Sequence, residues 1–313
     1  MRTNDSTLSF YINQLNSLDP KLHAPLSSVT WDRDIKLRED VTMATEATSF
    51  MRSSGGRIGT QSATGKPWVS ANGTTIASIS INNEMVSYPM RLLAVDISYT
   101  SVELERSQIL GQSIDTQKLA ELNTDYQMSI DEMVYVGDKN VNAKGLLNSS
   151  VVAASGVDNG ASGSPLWASK TPDEILDDVN KLLNDTWEAS GWSVCPDKLL
   201  LPGPQFARIS QAKVSSSGNT SILTYLEDNS VSLRVNGRKL DIRPVKWLKD
   251  VGINSTARMV AYTNEQTRVR FPMVPIRREN TYYQGIRFIA PYIWAFGEVE
   301  VVYPENIRYA DGI

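Results

Sequence analysis

One cysteine, Cys195, and one histidine, His23, are all that 313 residues hold of the two side chains most used as metal ligands and as nucleophile–base pairs. A lone cysteine excludes an intrachain disulfide and any multi-cysteine metal centre. His23 lies in a polar segment between Leu22 and Ala24, remote from Cys195, and neither a G-x-S-x-G elbow nor a cysteine-protease signature is present. Cys195 is therefore read as a structural thiol. No apolar run reaches the roughly 18 residues of a bilayer span, and the longest, 288–296, is broken by Pro291. The polar opening Met1-Arg2-Thr3-Asn4-Asp5-Ser6 lacks the apolar core of a secretory signal, so the chain is expected to work where it is made. The H-E-x-x-H, EF-hand and dinucleotide-binding patterns are missing too. Gly59 to Lys66 imitates a phosphate loop but has one residue too many between its glycines, and Pro67 replaces the magnesium-binding Ser or Thr. No catalytic, cofactor-binding or metal-ligating residue is expected.

What is present is apolar content of 41%, enough for a large buried core, and charge divided unevenly. Residues 231–313 carry net +5, whereas the first 230 carry net −9. Arg234, Arg238, Lys239, Arg243, Lys246, Arg268 and Arg270 are interspersed with apolar residues and form no dense run, which favours solvated positions or intersubunit ion pairs over nucleic-acid binding.

The strongest pattern runs from 114 to 148. Leu119, Leu122, Tyr126, Ile130 and Met133 recur at steps of three and four and predict one buried stripe, with Lys118, Glu121, Asn123, Asp125 and Asp131 on a solvated face. Asp115 signals the first turn and Gly137 a left-handed C-cap. The helix would extend about 33 Å, a strut suited to an enzyme core or a scaffold. Before it, residues 53–73 are rich in Gly, Ser and Thr, and the flanking Ile76, Ile79 and Ile81 predict a two-stranded ribbon that projects and lies on a partner. Residues 91–107 read as a long strand, or a strand and a short helix, leading into the strut. Thr171-Pro172-Asp173-Glu174 opens a second helix that reaches about Ala189, and 205–210 begins a third. Strands are expected at 199–201, 232–235, 240–245, 257–262, 269–271 and 297–303. The class is α+β.

Carboxylate pairs at Glu103/Glu105, Asp177/Asp178 and Glu298/Glu300 keep a rival reading open, a carbohydrate-active enzyme with paired acid and base. Charged strand faces are commoner. The aromatic cluster Tyr282, Tyr283, Phe288, Tyr292, Trp294 and Phe296 fits core or interface packing better than a ligand platform.

The order of elements resembles tailed-bacteriophage major capsid proteins, whose Hong Kong-97-type fold is shared with encapsulins. The resemblance rests on the arm, the Gly-rich loop, the strand Arg91-Leu92-Leu93-Ala94-Val95-Asp96-Ile97-Ser98-Tyr99 with Glu103-Leu104-Glu105, the strut, Gly145-Leu146-Leu147-Asn148, and the terminal Glu298-Val299-Glu300-Val301-Val302-Tyr303-Pro304. It covers nearly the whole chain from about residue 30. It implies an N-terminal arm at 1–45 and an extended loop at 52–88. A peripheral domain would comprise 46–51, 89–145 and 288–313 with its spine helix at 113–136, and an axial domain 146–287. The implied function is non-enzymatic self-assembly, as hexamers and pentamers, into an icosahedral shell around double-stranded DNA, held non-specifically in a virion built in the host cytoplasm. Implied partners are other copies of the chain, a separate scaffolding protein, and portal and decoration proteins, with no membrane. An encapsulin-type nanocompartment shell is the alternative on the same fold. Some relatives cross-link a loop lysine to a neighbour's asparagine; Lys66 and Asn306 are the conceivable pair.

Overall fold

The computed structural model describes residues 28–58, 76–103, 114–215 and 219–313. The expectations at His23, Gly59, Lys66, Pro67 and Glu105 lie outside the described residues. The described chain opens with one helical turn, α1 (Trp31–Asp34), and a short strand, β1 (Lys36–Arg38). A ribbon of two 12-residue strands follows, β2 (Ala47–Ile58) and β3 (Ser78–Pro89), then β4 (Arg91–Thr100) and the spine helix α2 (Ile114–Tyr135).

Leu122, Tyr126, Ile130 and Val134 recur every four residues along α2 and are buried. Tyr126 sets its ring edge-on to Trp294, with centroids 5.5 Å apart, and lies 6.2 Å from Phe296. Two expectations are corrected here. Leu119 is 40% exposed although its helical angle lies within the stripe, because it precedes Leu122, where the buried part of the helix begins. Asp131 was placed on the solvated face but is fully buried. Its carboxylate accepts from the Thr30 backbone N–H at 2.9 Å and the Trp247 indole at 2.8 Å, and pairs with Lys246 at 3.1 Å. These partners arrive from distant segments, so helical periodicity alone has no access to them.

The helix ends as its glycines require. Gly137 takes φ 74°, and a Cβ there would meet the Ala143 carbonyl oxygen at 2.3 Å. The chain then turns back along the last helical turn, where Leu146 and Leu147 donate to the otherwise unpaired carbonyls of Val134 and Tyr135 at 2.7 and 3.0 Å. Asn148 clasps the return, accepting from Gly145 N–H at 2.8 Å and donating to the Val136 carbonyl at 2.7 Å. A Cβ on Gly145 would stand 2.4 Å from the Tyr135 carbonyl carbon, so this close approach admits only glycine.

Five strands form the second sheet: β5 (Ala153–Gly156), β6 (Lys198–Leu201), β7 (Asp241–Pro244), β8 (Arg258–Tyr262) and, later in the chain, the terminal β13 (Ile307–Asp311). Their order is β5-β13-β8-β6-β7, so the last strand is inserted near the first edge. The remaining strands, β9 (Val269–Arg278), β10 (Tyr282–Gln284), β11 (Arg287–Phe296) and β12 (Glu300–Val301), join β1 and β4 in a six-stranded sheet around β9 and β11. Helix α3 (Pro172–Ala189) starts at a capping box in which Thr171 and Glu174 satisfy each other's backbone N–H, with Pro172 at its first position. Helices α4 (Gly203–Gln211), α5 (Ile222–Asn229) and α6 (Val231–Asn236) follow. The expected strand at 232–235 is thus a helix, capped by the Ser230 side chain and closed by left-handed Gly237. Of the strand expected at 297–303 only Glu300–Val301 pairs, against β9.

Strand alternation gives the five-stranded sheet two apolar faces. Leu200, Val260, Tyr262 and Tyr309 join the core built on the spine helix, whereas Leu199, Leu201, Met259 and Ala261 join a second core under α3, α4 and α5. Each large side chain so buried contributes about 1.5–3 kcal/mol. On the spine-helix side of the sheet stands Asp34, with no exposed surface. It accepts from Arg33 at 2.7 and 2.8 Å and from the Tyr135 hydroxyl, and pairs with Lys198 at 3.1 Å, while the Tyr262 hydroxyl donates to its backbone carbonyl. Burial alone would raise its pKa, but the hydrogen bonds from Arg33 and Tyr135 and the charge of Lys198 hold it below the ordinary carboxylate value.

Two outcomes follow from this packing. A depressed folded pKa gives stability that is present above the unfolded value, about 3.9, and lost as pH falls through the folded pKa. Asp34→Asn should therefore cost on the order of 3–5 kcal/mol at neutral pH, and the gap to wild type in urea unfolding should narrow below about pH 4; a gap independent of pH would contradict this. Gly145→Ala should lower stability by roughly 3 kcal/mol, read as a drop in thermal midpoint, because the atoms it meets are backbone.

Candidate functional site

The feature with the most unspent surface is the ribbon. Strands β2 and β3 pair over twelve residues, from Ala47 opposite Pro89 to Ile58 opposite Ser78. At about 3.4 Å per residue this is some 40 Å of two-stranded sheet. Its base is held by the body. Thr48 is buried, Phe50 lies 6.2 Å from Tyr88, and Arg52 donates to the Val302 carbonyl at 3.2 Å. Arg38 fixes the same corner: it donates to the Ser49 carbonyl at 3.4 Å and to Glu300 at 2.9 and 3.1 Å. Glu300, fully buried, also receives Arg270 at 2.6 Å. The two guanidiniums offset the cost of burying this carboxylate.

Beyond Arg52 the ribbon is bare. Directly paired residues share a face, which puts Met51 and Met85 together on one side with Ile81 and Ile79 further out. Gly55 opposite Ile81 contributes no side chain to cover it. These four side chains are 67%, 68%, 64% and 77% exposed. The other face is polar over the same length, with Arg52 opposite Glu84, Ser54 opposite Asn82 and Gly56 opposite Ser80. Ser53 opposite Asn83 and Arg57 opposite Ile79 interrupt the more apolar side, and its large side chains, left exposed, have the geometry of a surface awaiting cover. Ile79 and Ile81 were visible at their two-residue spacing; Met51 and Met85 were missed because only the strand register brings them together.

The other candidates do not converge. Glu298 and Glu300 point into different surroundings: Glu298 accepts from Lys144 N–H at 3.0 Å, with its pKa raised by burial, and Glu300 sits between arginines. Asp178 is buried against Lys170 and the Trp167 indole, whereas Asp177 faces solvent. Glu103 pairs with Lys118 at 3.7 Å. Cys195 is buried and its thiol pushed up to about 11, chiefly by desolvation. Asn306 is 4% exposed, so its carboxamide is not presented for a cross-link. Trp294 and Phe296 are core, while Tyr282 and Tyr283 lie exposed on the β10 hairpin. Of the basic residues, Lys239 pairs with Asp228, Arg243 with Asp241, Lys246 with Asp131 and Arg268 with Glu265, all within the subunit. Among the described residues no His, Cys, Asp and Glu cluster is arranged to hold a metal, and no helix is long and apolar enough to cross a membrane.

Comparison with known proteins gives this surface its context. The family model described as major capsid protein matches residues 65–313. No curated protein matches the sequence. Solved structures that share the fold include the capsid of Myoviridae phage XM1, 17% identical with a TM-score of 0.77, over 96% of this chain and 98% of that one. A Mycobacterium phage Adephagia chain is 13% identical with a TM-score of 0.60, over 99% and 98% of the two chains. The capsid of an empty GTA particle, computed with C5 symmetry, is 11% identical with a TM-score of 0.60, over 95% and 94%. With its family model matched over most of its length, an uncovered ribbon and a spine helix between two sheets, the chain belongs to the major capsid protein family, shell-forming subunits with the Hong Kong-97-type fold.

Proposed function

We propose that the protein assembles as hexamers and pentamers into an icosahedral shell enclosing double-stranded phage DNA, within a virion assembled in the host cytoplasm. The observation that carries this reading is the apolar face of Met51, Met85, Ile79 and Ile81, left in water by the subunit's own fold. A neighbouring copy is the cover this reading supplies, and many such weak contacts become collectively strong in a closed shell. Residues 1–45 act as the arm, 52–88 as the extended loop, and 146–287 as the axial domain, to which the pairing of β13 with β8 joins the terminal strand. Residues 46–51, 89–145 and 288–313 form the peripheral domain around α2, apart from the strand 307–311, which pairs into the five-stranded sheet. A separate scaffolding protein guides assembly, and portal and decoration proteins complete the particle. DNA is held without sequence preference, and the subunit performs no catalysis.

Negative-stain microscopy of the purified protein, with and without a co-expressed scaffold, should show closed shells; particles no larger than a dimer under every condition would contradict the proposal. In Ile79→Asp/Ile81→Asp the replaced side chains already stand in water, so unfolding stability should stay within about 0.5 kcal/mol of wild type while shells disappear. Shells of normal yield from this variant would remove the ribbon from assembly.

A further inference from the structure

The five-stranded sheet carries complementary features at opposite corners. One lies before the N-terminal ends of the parallel strands β6 and β7, where α3 has ended and α6 closes. Trp192 there is 57% exposed, holds a left-handed backbone conformation (φ 62°) uncommon outside glycine, and stands edge-on to Trp187 with centroids 4.7 Å apart. Asn236 at the end of α6 donates to the Cys195 carbonyl at 3.0 Å, which brings exposed Arg234, Val235 and Arg238 to the same corner. Neither arginine has an ion pair among the described residues.

The second feature lies past the C-terminal end of β5, at the other edge. A cleft of about 270 Å³ is lined by Asp158, Gly160, Lys170, Glu174, Asp177 and Lys181. Lys170 is held by Asp178 at 2.6 Å and Lys181 by Asp158 at 2.5 Å. Glu174 accepts only backbone N–H groups, from Thr171 at 2.7 Å and Ala161 at 2.6 Å, and Asp177 is exposed. Glu174 also feels the charge of Lys170, whereas Asp177 has no ion pair among the described residues. Because β5 is parallel to β13, and β13 and β6 are both antiparallel to β8, β5 runs the same way as β6; the two features sit at opposite ends as well as opposite edges. Helix α3, about 27 Å long, separates them, so one subunit cannot satisfy both.

We propose that Trp192, Arg234 and Arg238 of one subunit dock into the cleft of Glu174 and Asp177 on a second copy. The inference rests on the shell reading above and names one contact within a capsomer. Aromatic and guanidinium groups anchor protein interfaces well, and guanidinium–carboxylate pairs fix orientation. A patch and its complement on opposite sides of one domain make a head-to-tail contact, and repeated by rotation it closes a ring. A second copy is favoured over nucleic acid because the complementary charge is present on this same chain, whose first 230 residues are net −9.

The test is a charge swap in the full-length protein, read as the fraction sedimenting as capsomers or shells at fixed concentration. Arg238→Glu and Asp177→Arg should each lower it about tenfold, and the double variant should return to within about threefold of wild type. Arg238→Ala, too mild to unfold the chain, should lower it in the same direction, and unchanged thermal midpoints keep folding out of the readout. Singles without effect, or a double no better than the worse single, overturn the contact while wild-type shells leave the shell reading intact. Intact assembly of Arg238→Glu with less DNA retained makes nucleic acid the occupant and also overturns it. Wild-type protein that forms neither rings nor shells overturns both readings together.

Discussion

A carboxylate removed from water needs more than one cationic partner and several donors, and Asp34 obtains them from four separate parts of the chain. Arg33 comes from its own helical turn, Tyr135 from the end of the spine helix, Lys198 from β6, and Tyr262 from β8 reaches its carbonyl. Lys198 extends the network to Asp241 on β7 at 3.1 Å. Each donor left unpaired in the interior would cost about 1–3 kcal/mol. The arm's entry point, the spine and the five-stranded sheet therefore take up one mutual arrangement, and Asp131, bonded to Thr30 and Trp247, repeats the device one turn earlier on the same helix. Apolar burial supplies the driving force on both faces of that sheet. The buried carboxylates choose which arrangement it stabilises.

The ribbon obeys the opposite rule. Its base is tied to the body through Arg38, Glu300 and Arg52, yet four large apolar side chains on it stay mostly exposed. A subunit with two well-packed cores has no stability reason to leave such a surface uncovered. In the proposed assembly a neighbouring copy against the ribbon offsets that cost. A major capsid protein thus divides its surface between parts finished by folding and parts finished by assembly.

Much of the fold was legible where a local rule is strict. Pro172 behind Thr171 and ahead of Glu174 allowed one reading, and the capping box is there. Gly137 marked the end of the spine, and the close approaches at it and at Gly145 explain why no other residue serves at either. The reading failed where context outweighed pattern. Residues 232–235 have the β-branched and apolar look of a strand, but Ser230 caps a helix instead and Gly237 closes it. Asp131 was indistinguishable from Glu121 or Asp125 on a helical wheel, since burial depends on what arrives from elsewhere.

By itself the sequence determined the spine helix, α3 and several of the strands, because caps, glycine-only conformations and hydrophobic period act within a few residues. It also ruled out an intrachain disulfide and a multi-cysteine metal centre by composition. The tertiary structure alone decided which charges are buried, that β13 is inserted between β5 and β8, and that Met51 and Met85 join Ile79 and Ile81 on one uncovered face. Those facts depend on strand register and on contacts between residues far apart in the chain, and no local pattern carries them.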